Sequence, residues 1–401
     1  DNEDVGSAGF QIAFTYDGNS YNINQWYIDD VTLSEALDLD AGVSSLTVPP
    51  LVPENDPVTI ESTVKNFGME EITFDAVLEI KEGGNVVFTD TQTIANLGSL
   101  DEQDVTFAGW AAEVGTYDVS VTTQLAGDEN PANDIMSGNM QVITNVVPQK
   151  PLFEEFTSST CAPCATANPI IDAVLENNPG EYSLIKYQMD WPGVGDPYYT
   201  EQGGVRRDFY GVAGVPALYG NADQIDPASS MSQTIFDELA DQVTGIEITM
   251  DAEIDDDFVV TVNAQIDAWA DYPAGMRAHI VVVEKTTYGN VSTNGEESFT
   301  HVMMAMLPDA QGTELAALSS GSQVTISESW DMTETFMEQP NDLMAVVFIQ
   351  NNTDKSVVQS EMTDVAGDFT TYSVTFNVED SDGNPVEDAV VNFDINGPQT
   401  T

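Results

Sequence analysis

Residues Glu155 to Pro169 read EFTSSTCAPCATANP and hold both cysteines of the 401-residue chain. Cys161 and Cys164 are separated by Ala162 and Pro163. PLFEEFTS, running into the pair, reads as a strand, and CATANPIIDAVLENNPG reads as a helix that stops at Gly180. Thr157, Ser158, Ser159 and Thr160 are all residue types that cap a helix. The pattern therefore places Cys161 at the positive end of the helix with its sulfur exposed, where unpaired N–H groups and the helix dipole favour a thiolate. Cys164 then faces inward one turn later.

Three chemistries compete for this pair. A zinc site needs four ligands, and the chain offers no further cysteine and only His279 and His301, far downstream. A structural disulfide suits an exported chain, but closing so short a loop removes little unfolded-state entropy. In the redox reading, Cys161 attacks a substrate disulfide and Cys164 resolves the mixed disulfide.

Working outward, YSLIKYQM is a second strand and TEQGGVRRDFYGV is helix-like. GVPALYGN supplies another strand and SQTIFDELADQV another helix. Strands alternating with helices signal an α/β layer, and the segment 148–244 carries it. Together the residues resemble a thioredoxin-fold active site, and more narrowly the thioredoxin-fold outer-membrane protein family of bacteria with type IX secretion, over residues 149 to about 365. The resemblance implies a Cys161–Cys164 disulfide. It implies that Glu155, six residues before Cys161, is the buried carboxylate that takes a proton from the resolving cysteine. It also implies that Pro216, in Val215-Pro216, is the cis-proline whose loop packs on the disulfide. Two departures bear on substrate class and redox direction: Thr160 stands where thioredoxins carry tryptophan, and WPGVGDPYY is inserted before Pro216. Trp191, Tyr198 and Tyr199 there form a substrate lip or cover the core. Glu155 is alternatively a plain strand residue, and Arg206 and Arg207 are expected to pair with carboxylates.

The rest of the chain is β. Segment 1–37 contains FQIAFTYDGNSYNINQWYIDDVTL, two alternating strands that resemble the last strands of a jelly-roll domain, with Trp26 to Val31 carrying the likeness. Segment 38–147 alternates apolar and polar residues through PVTIESTVKNFG, ITFDAVLEIKEGGNVVFTDTQTI, QDVTFAGW, GTYDVSVTTQL and GNMQVIT, as an antiparallel sandwich does. It resembles the immunoglobulin-like cell-adhesion-related domain, on Val64-Lys65-Asn66-Phe67-Gly68 and the loop Gly127 to Asn133. Segment 245–366 is again sandwich-like, with HVMMAMLPDAQG read as core rather than as a copper or partner surface. Segment 367–401 opens a further sandwich of carboxypeptidase-regulatory or bacterial immunoglobulin-like type and stops too early to stand alone. The expected fold class is multidomain and mostly β, with immunoglobulin-like β-sandwiches flanking one thioredoxin-like α/β domain.

Charge narrows the partners. Sixty-eight acidic against nine basic residues give a net charge of −59. Such a chain repels phosphate, so nucleic acid is excluded as a partner. The excess reads as a solvated surface in salty or calcium-rich surroundings. Asp255-Asp256-Asp257 reads as a hairpin turn. Calcium candidates are Asp380, Asp382 and Asn384, which lack the full ligand spacing of an EF-hand. No apolar run is long enough for a membrane-spanning helix. The opening Asp-Asn-Glu-Asp, without Met or a signal-peptide pattern, leads to the expectation of a mature or clipped product.

The expected function is an exported surface or extracellular structural or adhesive protein from a Gram-negative-type bacterium, needing no cofactor and belonging to a larger assembly. Its partners would be surface proteins or neighbouring subunits that complete the terminal β segments. The alternative is a secreted thiol–disulfide oxidoreductase acting through Cys161 and Cys164.

Overall fold

The computed structural model describes residue 14, residues 37–367, and the pieces 378–380, 384–386, 391–393 and 397–399. The jelly-roll strands expected in 1–37, Trp26 included, and most of the sandwich start expected in 367–401 lie outside the described residues. The chain is mostly β and forms several sheets.

Its first part is a sandwich of ten strands: β1 (Ala41–Thr47), β2 (Leu51–Pro53), β3 (Pro57–Val58), β4 (Glu61–Asn66), β5 (Ile72–Glu82), β6 (Asn85–Leu97), β7 (Glu102–Thr106), β8 (Trp110–Ala111), β9 (Gly115–Gln124) and β10 (Ile135–Ile143). One sheet runs β1-β4-β7, the other β2-β10-β9-β5-β6, and β3 pairs with β8. In β5 the apolar residues Ile72, Phe74, Ala76, Leu78 and Ile80 point inward. That two-residue period gives one strand face to the core, at roughly 1.5–3 kcal/mol for each large side chain buried. Gly83 and Gly84, at φ 53° and 83°, turn β5 into β6. Asn66 is buried, donating to the carbonyls of Glu70 and Leu97 and accepting from Gly68 N–H, which ties the corner after β4.

From Val147 onward come β11 (Val147–Pro148), β12 (Leu152–Thr157), α1 (Cys164–Glu176), β13 (Ser183–Gln188), α2 (Glu201–Tyr210), β14 (Ala217–Gly220), β15 (Asp223–Ile225), α3 (Gln233–Ala240) and β16 (Val243–Thr244). They are followed by β17 (Ile246–Ile254), β18 (Val259–Ala268), β19 (Met276–Thr287), β20 (Phe299–Leu307), β21 (Thr313–Glu314), β22 (Ser322–Asp331), β23 (Leu343–Asn351) and β24 (Val357–Asp364). Thr200 and Ser232 cap α2 and α3, and Gly211 ends α2 in the left-handed conformation.

The expected domain boundary at 244/245 is not a break between sheets. One nine-stranded sheet runs β15-β14-β12-β13-β20-β19-β23-β24, with β21 beside β19. β13 and β20 meet in parallel, Lys186 opposite Val302, so strands from both sides of residue 245 share hydrogen bonds. Periodicity cannot reveal this, because it reports which face of a strand is buried and not which strand lies beside it. One face of the sheet is covered first by α1 and α3, on Phe153, Leu184 and Leu218, and farther along by the sheet β17-β18-β22, on Ile280, Val302, Ala345 and Val347. Against the other face, Tyr210 of α2 packs with Phe156, Tyr187, Val281 and Phe348. Met303, Met304 and Met306 are buried, as core residues. Asp255 accepts from the N–H groups of Asp257 and Val259 at the β17–β18 turn.

Candidate active site

β12 and β13 lie side by side with all twelve residues buried. Their alternate side chains pass to opposite faces, so the neighbours Glu154 and Glu155 enter different environments. β12 delivers the chain into the cysteine turn, and Cys161 and Cys164 form a disulfide there.

The start of α1 differs from the expectation. The helix begins at Cys164, Pro163 occupies the cap position, and no side chain caps it. Three of the four hydroxyls are engaged elsewhere, and that of Ser159 is buried without a partner. Thr157 bonds to Asn168 (3.2 Å), Ser158 and Thr160 bond to each other (2.8 Å), Thr160 Oγ1 donates to the Pro192 carbonyl (2.7 Å), and Ser159 N–H donates to Asp196 (2.8 Å). Cys164 N–H instead donates to Cys161 Sγ at 3.2 Å, so the sulfur itself takes a free helix N–H. Pro163 needs no N–H partner at this position.

Cys161 is 1% exposed, against the expected open sulfur. Two connections cover it. The insertion 190–199 supplies Pro192 and Asp196, as above. The β19–β20 connection sends Thr293 and Asn294, whose N–H groups both donate to the Ser159 carbonyl (3.1 and 3.0 Å). Asn294 Nδ2 also reaches the carbonyls of Ser158 (3.3 Å) and Cys161 (3.4 Å), and Glu296 accepts from Asn168 of α1 (2.9 Å). The Val215–Pro216 peptide bond is cis, and the Val215 carbonyl lies 3.5 Å from Cys161 Sγ. Ala162, Pro163 and Gly214 remain exposed at the rim, and Val194 is 92% exposed.

Glu155 is fully buried on β12. Lys186 Nζ stands 3.2 Å from Oε2, and no hydrogen bond of good geometry reaches either oxygen. Burial raises its pKa to about 7; Lys186 opposes the rise, while Asp172 and Glu296 add to it. Lys186 is itself pulled down by burial, but Glu155 and Asp172 outweigh that and raise it. Its second partner is Asp172 of α1, at 2.6 Å. The sequence reading passed over Lys186 and Asp172. Their signal was Lys186 itself, one of nine cations placed in the middle of an otherwise apolar strand.

On the opposite face Glu154 meets Arg206 of α2 at 2.7 and 2.9 Å. Tyr187 and Tyr210 donate to the same carboxylate, and Arg206 Nη1 donates to Gln350 of β23 at 3.0 Å. Arg206 thus finds the expected carboxylate, although deep in the core. Arg207 pairs with Asp190 and Asp208 and lies over Trp191. Tyr198 stacks on Phe336 and donates to Glu338 (2.9 Å), so it supports the connection from β22 to β23, while Trp191 and Tyr199 are half-buried.

Among the described residues no group of acidic, histidine or cysteine side chains is arranged to hold a metal. Of the calcium candidates, Asp380 accepts from the N–H of Asn384 (2.8 Å), and Asp382 lies outside the described residues. No helix among the described residues is long and apolar enough to cross a membrane.

No family model and no curated protein matches the chain. Among solved structures, a protein from Agrobacterium tumefaciens superposes with a TM-score of 0.40 at 16% identity, over 57% of this chain and 99% of its own. A CARDB domain from Pyrococcus furiosus, solved with di-metal ions, gives a TM-score of 0.23 at 22% identity over 29% of this chain and 100% of its own. A beta-glucosidase from Listeria innocua gives 0.20 at 17% identity, over 26% of this chain and 16% of its own.

Proposed function

We propose that the chain is an exported, multidomain bacterial surface protein whose 148–244 segment is a thioredoxin-like module that performs thiol–disulfide exchange. The observation that carries this reading is the joint placement of the Cys161–Cys164 disulfide, the Val215 carbonyl 3.5 Å from Cys161 Sγ, and Cys164 N–H donating to that sulfur. The N–H would stabilise a Cys161 thiolate once the pair is reduced. That thiolate attacks a substrate disulfide, forming one S–S bond while the second substrate sulfur leaves as a thiolate and takes a proton from water. Cys164 gives its proton to Glu155 and attacks Cys161 Sγ, releasing the remaining substrate sulfur and regenerating the disulfide. Two electrons pass to the substrate, and a dithiol donor must return them. The covering connections restrict substrates to those that engage the rim at Pro163, Val194 and Gly214.

A second reading makes the pair a staple within a surface or adhesive scaffold whose partners are surface proteins or neighbouring subunits. The 1% exposure of Cys161 beneath Asn294 favours it. Insulin reduction by dithiothreitol separates the two. The full chain is expected to accelerate it and Cys161→Ser to lose the effect; equal, uncatalysed rates for both proteins would leave only the scaffold.

A further inference from the structure

A carboxylate that takes a proton while the pair is oxidised must lose it before the next cycle, either back to Cys164 when the dithiol donor reopens the disulfide or to solvent, and Glu155 has no exposed surface. Lys186 Nζ lies 3.2 Å away on one side and bonds Asp172 Oδ1 at 2.6 Å on the other. Asp172 sits on α1 two turns beyond Cys164, its side chain 23% exposed, and accepts from Thr300 Oγ1 of β20 at 3.3 Å. Beyond it is a partly open cavity of about 30 Å³ bounded by the polar Asp172, Glu176, Tyr182, Thr300 and His301 and by the apolar Leu175 and Leu184. The space suffices for a water molecule. His301 Nδ1 is buried without a hydrogen-bond partner. Burial, with Lys186 adding to it, lowers the His301 pKa to about 4, so the ring is neutral and able to bond water.

We propose that the proton taken by Glu155 leaves through Lys186 and Asp172 to water in this cavity beside His301. The proposal rests on the redox reading of the cysteines. In one concerted shift Glu155 gives its proton to Lys186 while the ammonium gives one of its own to Asp172. Lys186 ends with the charge it began with, Glu155 is again a carboxylate, and Asp172 passes the proton to water. Glu296, from the β19–β20 connection, adds negative charge near Glu155 but is engaged by Asn168 and Asn294. Asp172 is a relay and touches no substrate.

The test uses the full chain in the insulin assay. Asp172→Ala is expected to lower turnover by about a hundredfold, the lower end of the scale of a lost proton-transfer group. Imidazole, small enough for the enlarged cavity, should restore part of the rate without changing the wild type. Asp172→Glu should retain activity, and Asp172→Asn replaces the alanine variant should that one not fold. Full turnover in Asp172→Ala or Asp172→Asn overturns the outlet and leaves the redox reading standing. Loss in a folded variant, with neither imidazole nor Asp172→Glu restoring it, reduces Asp172 to a structural partner of Lys186 and also overturns the outlet. An inactive wild type sinks the redox reading and the outlet with it.

Discussion

Glu154 and Glu155 are chemically identical neighbours with opposite electrostatic situations. Glu154 is held by Arg206 and two tyrosines. Glu155 has one ammonium neighbour and a pKa raised to about 7. Glu154→Gln leaves the buried Arg206 uncompensated and is expected to cost about 3–5 kcal/mol, read as a fall in denaturation midpoint. Glu155→Gln acts through pH. The native carboxyl binds its proton up to about pH 7 and the unfolded one only to its ordinary value of 4.5. Its contribution to stability is therefore present below the lower value and lost as pH rises through the higher one. The shift corresponds to about 3 kcal/mol. Between pH 5 and 8.5 the midpoint of the wild type should fall relative to that of Glu155→Gln; parallel curves would contradict the burial argument. From sequence, Glu155 stood out only through the resemblance to thioredoxins. Glu154 did not, because in a strand buried on both sides no polar–apolar alternation separates the two faces.

At the scale of elements, most strands and the three helices among the described residues were readable from alternation and turns. The cysteine turn was not. A hydroxyl beside a helix start predicts a cap only when nothing else competes for it, and Pro192 and Asn168 compete for Thr160 and Thr157 here, while Asp196 holds the backbone of Ser159. Pro192 and Asp196 come from an insertion whose path no local pattern encodes, and Asn168 comes from α1 itself. The β19–β20 connection holds the turn chiefly through Asn294. Asn294→Ala removes the side-chain bonds to Ser158 and Cys161 and keeps the backbone ones. Losing about 1 kcal/mol of contact makes local opening about fivefold more frequent. Alkylation of the reduced cysteines should accelerate by that factor. An unchanged rate would mean that the connection does not control access.

For the whole molecule, the shared sheet decides what can be separated from what. A chain ending at residue 244 leaves β13 without β20 and exposes the edge of a strand whose six residues are all buried in the full chain. Such an edge pairs with other chains. The truncated protein is expected to elute from a sizing column as aggregate, whereas residues 38–147, with both of their sheets intact, should elute as a monomer. A soluble monomeric 1–244 fragment would contradict the shared sheet. Charge acts on the same scale. Lys186 and Arg206 are sealed in the core. Lys65, Lys81, Lys150, Arg207, Arg277 and Lys285 each pair with a carboxylate, and Lys355 lies over Phe209 and Tyr210. All nine basic side chains are committed inside the molecule, so none is left to offset the surplus of 59 negative charges. Neutralisation falls to dissolved cations, which makes the ionic atmosphere a working component of the native state as much as any strand.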